Sequence, residues 1–175
     1  MGPTVGSVAN HDMEQARIIM RRFMWSLNDE SGGIGWGAPE SMAEIMAGHK
    51  GLAEEYAHML VSYMREDGNF LELEMLQRGL IWGIARLSQS KPAIMNKWKA
   101  PEYLKPYLRS DDATVRGLAA LGLGILQHSF ALEEIKKLID DPHQIRLYWD
   151  REFHSSSVGE LASQAIRTLA RKNSE

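Results

Sequence analysis

Residues 107–126 read YLRSDDATVRGLAALGLGIL and combine a leucine-ended segment, an acidic turn and a segment rich in small residues. After Asp111 and Asp112, apolar residues recur at the three- and four-residue spacing of a helix that buries one face. These positions are Val115, Leu118, Ala119, Gly122, Ile125 and Leu126. Because aspartate is a preferred N-cap residue, the segment predicts a buried helix that begins directly after the acidic turn.

The same apolar pattern recurs before and after this segment. Its other clear copies are Leu73, Leu76, Leu80, Gly83, Ile84 and Leu87, and Val158, Leu161, Ala162, Ala165, Ile166, Leu169 and Ala170. The copies start about 42 residues apart, an interval typical of helical repeats. A further helical segment precedes each one, and no segment shows the period-two alternation of a half-buried strand. The predicted helix pairs are 13–48, 52–88, 102–128 and 131–171.

Paired helices of this kind bury their apolar faces by stacking on the next pair. The pattern therefore predicts an all-α fold, an α-α superhelix of about four antiparallel helix pairs. The segment 88–101 is long enough to hold a short extra turn around Ile94 and Trp98. Serines 155 to 157 are available to cap the last helix.

The segment 107–126 resembles the HEAT-like repeat of phycobilisome lyase subunits. In that repeat a helix ending at a leucine, here Leu108, precedes an acidic turn, a Val-Arg pair ending at Arg116, and a helix of small residues. Residues 138–169 look like a second copy, with Gly159 in place of the arginine. The resemblance implies a scaffold that binds proteins or ligands, and it implies a structural bond from Arg116 to an acidic turn such as Asp111. Some relatives are bilin lyases or DNA glycosylases, so the fold alone does not fix the function.

The composition limits the classes of partner. The chain of 175 residues has a formal net charge of −3 and no cysteine. This charge gives no general attraction to phosphate backbones or anionic membranes, so we expect neither nucleic acid nor a membrane as partner. The missing cysteines exclude disulfides and thiolate metal sites. Because residues 1–12 lack the pattern of a signal peptide, we expect one cytoplasmic domain, 1–175.

The glycine-rich segment 28–40, NDESGGIGWGAPE, is the first candidate binding site. It lacks the strand-to-helix context and the lysine of phosphate-binding loops. One interpretation is purely structural, with Pro39 in the first turn of the next helix. The other is a recognition surface, because aromatic side chains beside carboxylates are common at binding hot spots. Its candidate residues are Asp29, Glu30, Trp36 and Glu40.

The second candidate is the insertion 143–154, HQIRLYWDREFH, which supplies cationic and aromatic side chains together, Phe153 among them. The candidate binding residues are Arg146, Tyr148, Trp149, Arg151 and His154. Alternatively, the aromatic residues close the open end of the helical stack. His143 and His154 lack the spacing of paired ligands on a helix, so we predict no metal site.

These observations favour a non-catalytic scaffold that binds a protein or peptide through its concave face and inter-helix loops. The alternative is an enzyme or small-ligand binder of the bilin lyase type. Since no nucleophile, base and orienting residue can be identified together, we predict no catalytic residue and no cofactor. A small-molecule ligand stays open.

Overall fold

A computed structural model describes residues 2–28, 35–150 and 152–172. The described part is predominantly helical, with a small β-hairpin inserted before the last helix. Its α-helices are α1 (Gly2–His11), α2 (Met13–Asn28), α3 (Ala38–Gly48), α4 (Lys50–Ser62), α5 (Glu74–Ser90), α6 (Pro92–Lys97), α7 (Ala100–Leu104), α8 (Ala113–Ile125), α9 (Leu132–Lys136) and α10 (Val158–Lys172). Two 3-10 helices, Lys105–Arg109 and Ser129–Ala131, and two strands, β1 (Gln144–Trp149) and β2 (Glu152–Ser157), complete the list.

The prediction of a mainly helical chain is confirmed, but the expectation that no segment forms a strand is wrong at β1 and β2. In β1 the side chains of Ile145 and Leu147 are buried while their neighbours Gln144, Arg146 and Tyr148 are exposed. This is the period-two alternation of a half-buried strand. The helix α1 was not predicted either, because its sequence contains Pro3 and glycines and few apolar positions.

Helix ends follow the predicted capping chemistry. Asp112 Oδ1 accepts hydrogen bonds from the backbone N–H groups of Thr114 at 2.8 Å and Val115 at 3.2 Å. At the start of α10, Ser157 Oγ accepts from the N–H of Glu160 at 3.1 Å, and Glu160 Oε2 accepts from the N–H of Ser157 at 2.7 Å. These reciprocal bonds form a capping box. The last helix is thereby anchored where β2 ends.

The described residues group into two compact units, Met1–Ala100 and Pro101–Glu175. The first is built around α3, which contacts α1, α2, α4 and α5. Helices α3 and α5 supply side chains that are fully excluded from solvent: Met42, Ile45, Met46, Leu80, Ile84 and Leu87. Arg86 Nε also donates to Glu44 Oε1 at 2.7 Å, joining the two helices by an ion pair. The position of α3, and of the turn before it, is therefore fixed by packing on several sides.

The second unit is built around α8, which contacts the first 3-10 helix, α10 and β1. Gly124 of α8 lies directly against α10, since a Cβ at this position would be 2.5 Å from the Cα of Ala165. The hairpin packs on the same two helices, β1 against α8 and β2 against α10. Within the described residues, no helix is both long enough and apolar enough to cross a membrane.

Candidate functional site

The hairpin lies where the sequence places the second candidate site. Its strands pair antiparallel, with Trp149 opposite Glu152 and Tyr148 opposite Phe153. The connection between them has two residues, and its first, Asp150, has a φ of 50°. Two-residue hairpin turns favour such left-handed backbone because its twist matches that of the strands, and aspartate tolerates it. The turn thus fixes the register of the pair.

The two faces of the hairpin differ in chemistry. Ile145 and Leu147 are 5% exposed and anchor one face on the helices. Because directly paired residues project on the same side of a sheet, Phe153 shares the opposite face with its partner Tyr148 and with Arg146. We call these three residues the outer hairpin surface.

The outer hairpin surface is an exposed cluster of one cation and two aromatic rings. Tyr148 is 48% exposed and Phe153 is 64% exposed. Their ring centroids are 5.2 Å apart with an interplanar angle of 58°, and the Arg146 guanidinium carbon lies 4.2 Å from the Phe153 centroid. Such cation–π contacts stabilise exposed sites by about 0.5–1 kcal/mol. The three side chains are therefore held together before any partner binds.

The other predicted residues of this segment lie elsewhere. Trp149 and His154 belong to the face that carries Leu147, and His154 Nε2 lies 3.1 Å from the carbonyl oxygen of Trp149. Arg151 lies outside the described residues. Phe153 is not among the predicted binding residues, although it contacts both Tyr148 and Arg146. Its place in the cluster depends on the pairing register of the hairpin, which residue spacing within one strand does not reveal.

A polar network underlies the hairpin. Arg116 of α8 donates from Nε to Asp141 Oδ2 at 2.7 Å and from Nη1 to the Asp111 carbonyl oxygen at 2.8 Å. The side chains of Arg116 and Asp141 are only 12% and 14% exposed. The hydrogen bond from Arg116 lowers the pKa of the Asp141 carboxyl well below its usual range. Asp111 takes part through its backbone, while its own side chain is exposed. Arg116 thus joins the turn before α8 to the turn before β1.

The first candidate site shows a different arrangement. Residues 35–38 form a turn in which the N–H of Ala38 donates to the Gly35 carbonyl oxygen at 3.0 Å. Gly37 has φ 73° and ψ 2°, the values of the third residue in a type II turn, where glycine is preferred. This turn presents Trp36 with 57% of its surface exposed. Asp29 and Glu30 lie outside the described residues.

The prediction that Glu40 forms an exposed recognition surface with Trp36 is wrong, because the Glu40 carboxylate is directed into the protein. Its Oε2 atom is buried without a hydrogen-bond partner among the described residues, and burial raises the pKa of its carboxyl. The carboxylate lies against Gly79 of α5, where any Cβ would overlap it. Pro39 does occupy the first turn of α3, as predicted. Local sequence patterns do not indicate the contact between Glu40 and Gly79, because the two residues are distant in the chain.

A shallow depression of about 260 Å³ lies beside the first 3-10 helix. Its lining residues are Glu102, Lys105, Pro106, Arg109 and Glu134. Lys105 Nζ lies 3.0 Å from Glu134 Oε1, and the hydrogen bond between them lowers the pKa of Glu134. The charges in the depression thus already compensate one another. Across the described ranges, no three histidine, aspartate or glutamate side chains come close enough to hold a metal ion.

No protein-family model matches this sequence, and no curated protein matches it significantly.

Proposed function

We propose that this chain is a non-catalytic binding module whose outer hairpin surface contacts a protein or peptide. The observation that carries the proposal is the exposure of Tyr148 and Phe153, at 48% and 64%, beside the Arg146 guanidinium. Tyrosine and arginine are enriched among the residues that dominate binding energy at protein interfaces. Large aromatic rings also bury much apolar area for each rotamer that binding fixes.

The support beneath this surface favours the same function. Ile145 and Leu147 fasten the opposite face to the helices, and the capping box fixes the end of β2. A rigid support lowers the entropy that a binding partner must overcome. The surface therefore has the preorganisation expected of an interaction site.

We propose in addition that the helices form HEAT-like repeats in an α-α superhelix. Support comes from the spacing of the apolar segments and from Arg116, which bonds to the acidic turn before its own helix and to Asp141 of the next segment. This is the bond that the resemblance implies. The enzyme or small-ligand alternative of the bilin lyase type stays a hypothesis.

The proposal can be tested by panning a random peptide display library on the wild-type protein. Selected peptides are then measured against a Tyr148→Ser, Phe153→Ser double variant. The matched control is Trp25→Ser, which removes an aromatic side chain that is 73% exposed on α2. Circular dichroism verifies that each variant keeps its helix content.

We expect selected peptides to lose at least about tenfold in affinity on the double variant, as removal of interface anchors typically does. The control should bind them as the wild type does. If the double variant bound the peptides as tightly as the wild type, the binding site would not lie on the outer hairpin surface. A Trp36→Ala variant tests the separate candidate at residues 35–38.

A further inference from the structure

The backbone of the hairpin has an alternating pattern that determines which groups face outward. The N–H of Val158 donates to the His143 carbonyl oxygen at 3.0 Å, so this pair is a hydrogen-bonded one. In antiparallel pairs, hydrogen-bonded and non-hydrogen-bonded positions alternate. By the observed register, the pair Arg146 and Ser155 and the pair Tyr148 and Phe153 are therefore non-hydrogen-bonded. On β2, the N–H and C=O groups of Phe153 and Ser155 point away from β1.

These outward groups form an open sheet edge, which we call the β2 edge. Among the described residues, no hydrogen bond reaches the backbone of Phe153 or Ser155 from another element. The side chains of residues 152–155 are all exposed. Natural edge strands are usually protected by lysine, proline, a bulge or a covering segment. β2 reads EFHSSS and contains neither lysine nor proline, and its pairing with β1 has no bulge.

On the face that carries Phe153 and Ser155, the charge beside the β2 edge is positive, whereas Glu152 lies on the opposite face of the hairpin. Arg146 is on β1 opposite the small residue Ser155, and its guanidinium extends diagonally over the ring of Phe153 on β2. Within the described part of the chain, no carboxylate lies within ion-pair distance of Arg146. A strand added at the β2 edge would place its side chains next to Phe153 and Ser155, within reach of this guanidinium.

We propose that the partner is an extended, acidic peptide segment that adds to the β2 edge as a third strand. Main-chain hydrogen bonds to Phe153 and Ser155 would supply a general part of the affinity, and the outer hairpin surface would select the side chains. An apolar side chain packs on Phe153, and a neighbouring carboxylate on the same face pairs with Arg146. This inference rests on the proposed function and specifies the chemistry of the partner.

A second copy of this chain fits the edge less well. If two β2 strands paired into one continuous sheet, each copy would bring its own Arg146 to the face that carries Phe153 and Ser155, whereas Glu152 lies on the opposite face. Like charges placed across an interface oppose association. The observed charge therefore favours an acidic partner over self-pairing.

The test uses two synthetic peptides in which pairs of valines alternate with pairs of charged residues, glutamates in one peptide and lysines in the other. In an extended strand this order places valine and the charged residue alternately along each face. The affinities of both peptides are measured by fluorescence anisotropy against the wild type and three variants. Ser155→Pro removes one outward N–H, at a position where proline keeps the pairing with β1 intact. Ser155→Ala is its matched control because it keeps the N–H. Arg146→Gln removes the charge, and circular dichroism checks the fold of each variant.

We expect the glutamate peptide to bind the wild type and Ser155→Ala equally. Ser155→Pro should weaken binding at least about tenfold, because the edge loses a donor and part of its strand geometry. Arg146→Gln should weaken it up to about fivefold, the range of an exposed ion pair. The lysine peptide should bind more weakly than the glutamate peptide.

Three results would overturn the inference: equal binding of the two peptides, insensitivity to Ser155→Pro, or self-association of the wild type that Ser155→Pro abolishes. The proposed function has its own test in the library selection. If selected peptides need Tyr148 and Phe153 but tolerate Ser155→Pro, the binding module stands and strand addition fails. If no peptide depends on the outer hairpin surface, both fail.

Discussion

At the scale of single residues, a paired charge and an unpaired carboxyl illustrate opposite consequences of burial. Arg116 and Asp141 are largely buried together, at 12% and 14% side-chain exposure, and a 2.7 Å bond joins them. Glu40 is buried against Gly79, and its Oε2 has no partner among the residues described. A paired buried charge is strongly destabilising only when its partner is removed, whereas an unpaired one already destabilises the native state.

Arg116→Ala should lower the free energy of unfolding by about 3 kcal/mol, because it leaves the Asp141 carboxylate buried without its cation. Urea denaturation followed by circular dichroism measures this loss. Lys136→Ala, which removes an exposed pair with Glu133, is the control and should change stability by about 0.5 kcal/mol or less. A similar small effect of both variants would show that Arg116 does not hold the two turns together.

The lowered pKa of Asp141 also predicts the direction of a pH effect. The stabilisation from this carboxylate is complete above its unfolded-state pKa, near 3.8, and is lost as the pH falls below that value. The wild type should therefore lose stability on acidification more steeply than Arg116→Ala, in which the pKa of Asp141 is lowered only by the remaining hydrogen bonds from His143. Parallel stability profiles for the two proteins between pH 6 and about pH 3 would contradict this assignment.

Glu40→Gln should stabilise the protein at neutral pH. Burial raises the pKa of Glu40, so ionisation in the native state destabilises the fold as the pH rises through that pKa. The amide avoids this charge, and we expect a gain on the order of 1 kcal/mol at pH 8 that disappears below about pH 4. Thermal unfolding at both pH values measures it. A variant less stable than the wild type at pH 8 would show that the carboxylate has a stabilising partner.

At the scale of elements, long periodic segments were predictable and short ones were not. The helices α5, α8 and α10 follow from repeated apolar positions, and the N-caps of α8 and α10 follow from Asp112 and Ser157. The hairpin was missed because only Ile145 and Leu147 carry its inward alternation, too few to distinguish a strand from a loop. β2 offers no alternation at all, since its residues 152–155 are exposed.

Gly124 controls how closely α8 and α10 approach. Alanine normally stabilises a helix interior by about 1 kcal/mol over glycine. Here its Cβ would be 2.5 Å from the Cα of Ala165, so the helices would have to separate. We expect Gly124→Ala to lower the free energy of unfolding by about 2 kcal/mol in a urea titration.

Gly48→Ala is the matched control, because position 48 ends α3 with nothing within 4 Å of an added Cβ. Gly48→Ala should leave the free energy of unfolding unchanged or raise it slightly. If Gly124→Ala left the free energy of unfolding unchanged as well, the result would contradict the close approach of α8 and α10 at this position.

At the scale of the whole molecule, the sequence indicated which segments carry candidate binding residues but not which side chains in them are exposed or buried. The predicted boundary at 88–101 includes the division between the two compact units, at Ala100. The single domain and the superhelix stay predictions. Arg146 and Tyr148 were identified from residue type, whereas Phe153 required the strand register and Glu40 required its contact with Gly79. Such features depend on pairings between distant residues, which local patterns do not encode.

The most direct test of the central claim, that the binding module takes an extended peptide at its β2 edge, is amide hydrogen–deuterium exchange in the presence and absence of the valine–glutamate peptide. In the free protein, the outward N–H groups of Phe153 and Ser155 should exchange fast, while those of His154 and Ser156, bonded to β1, exchange more slowly. The account predicts that the peptide slows exchange at Phe153 and Ser155. If the peptide leaves these two amides unprotected, or protects only amides away from the hairpin, strand addition at the β2 edge is contradicted.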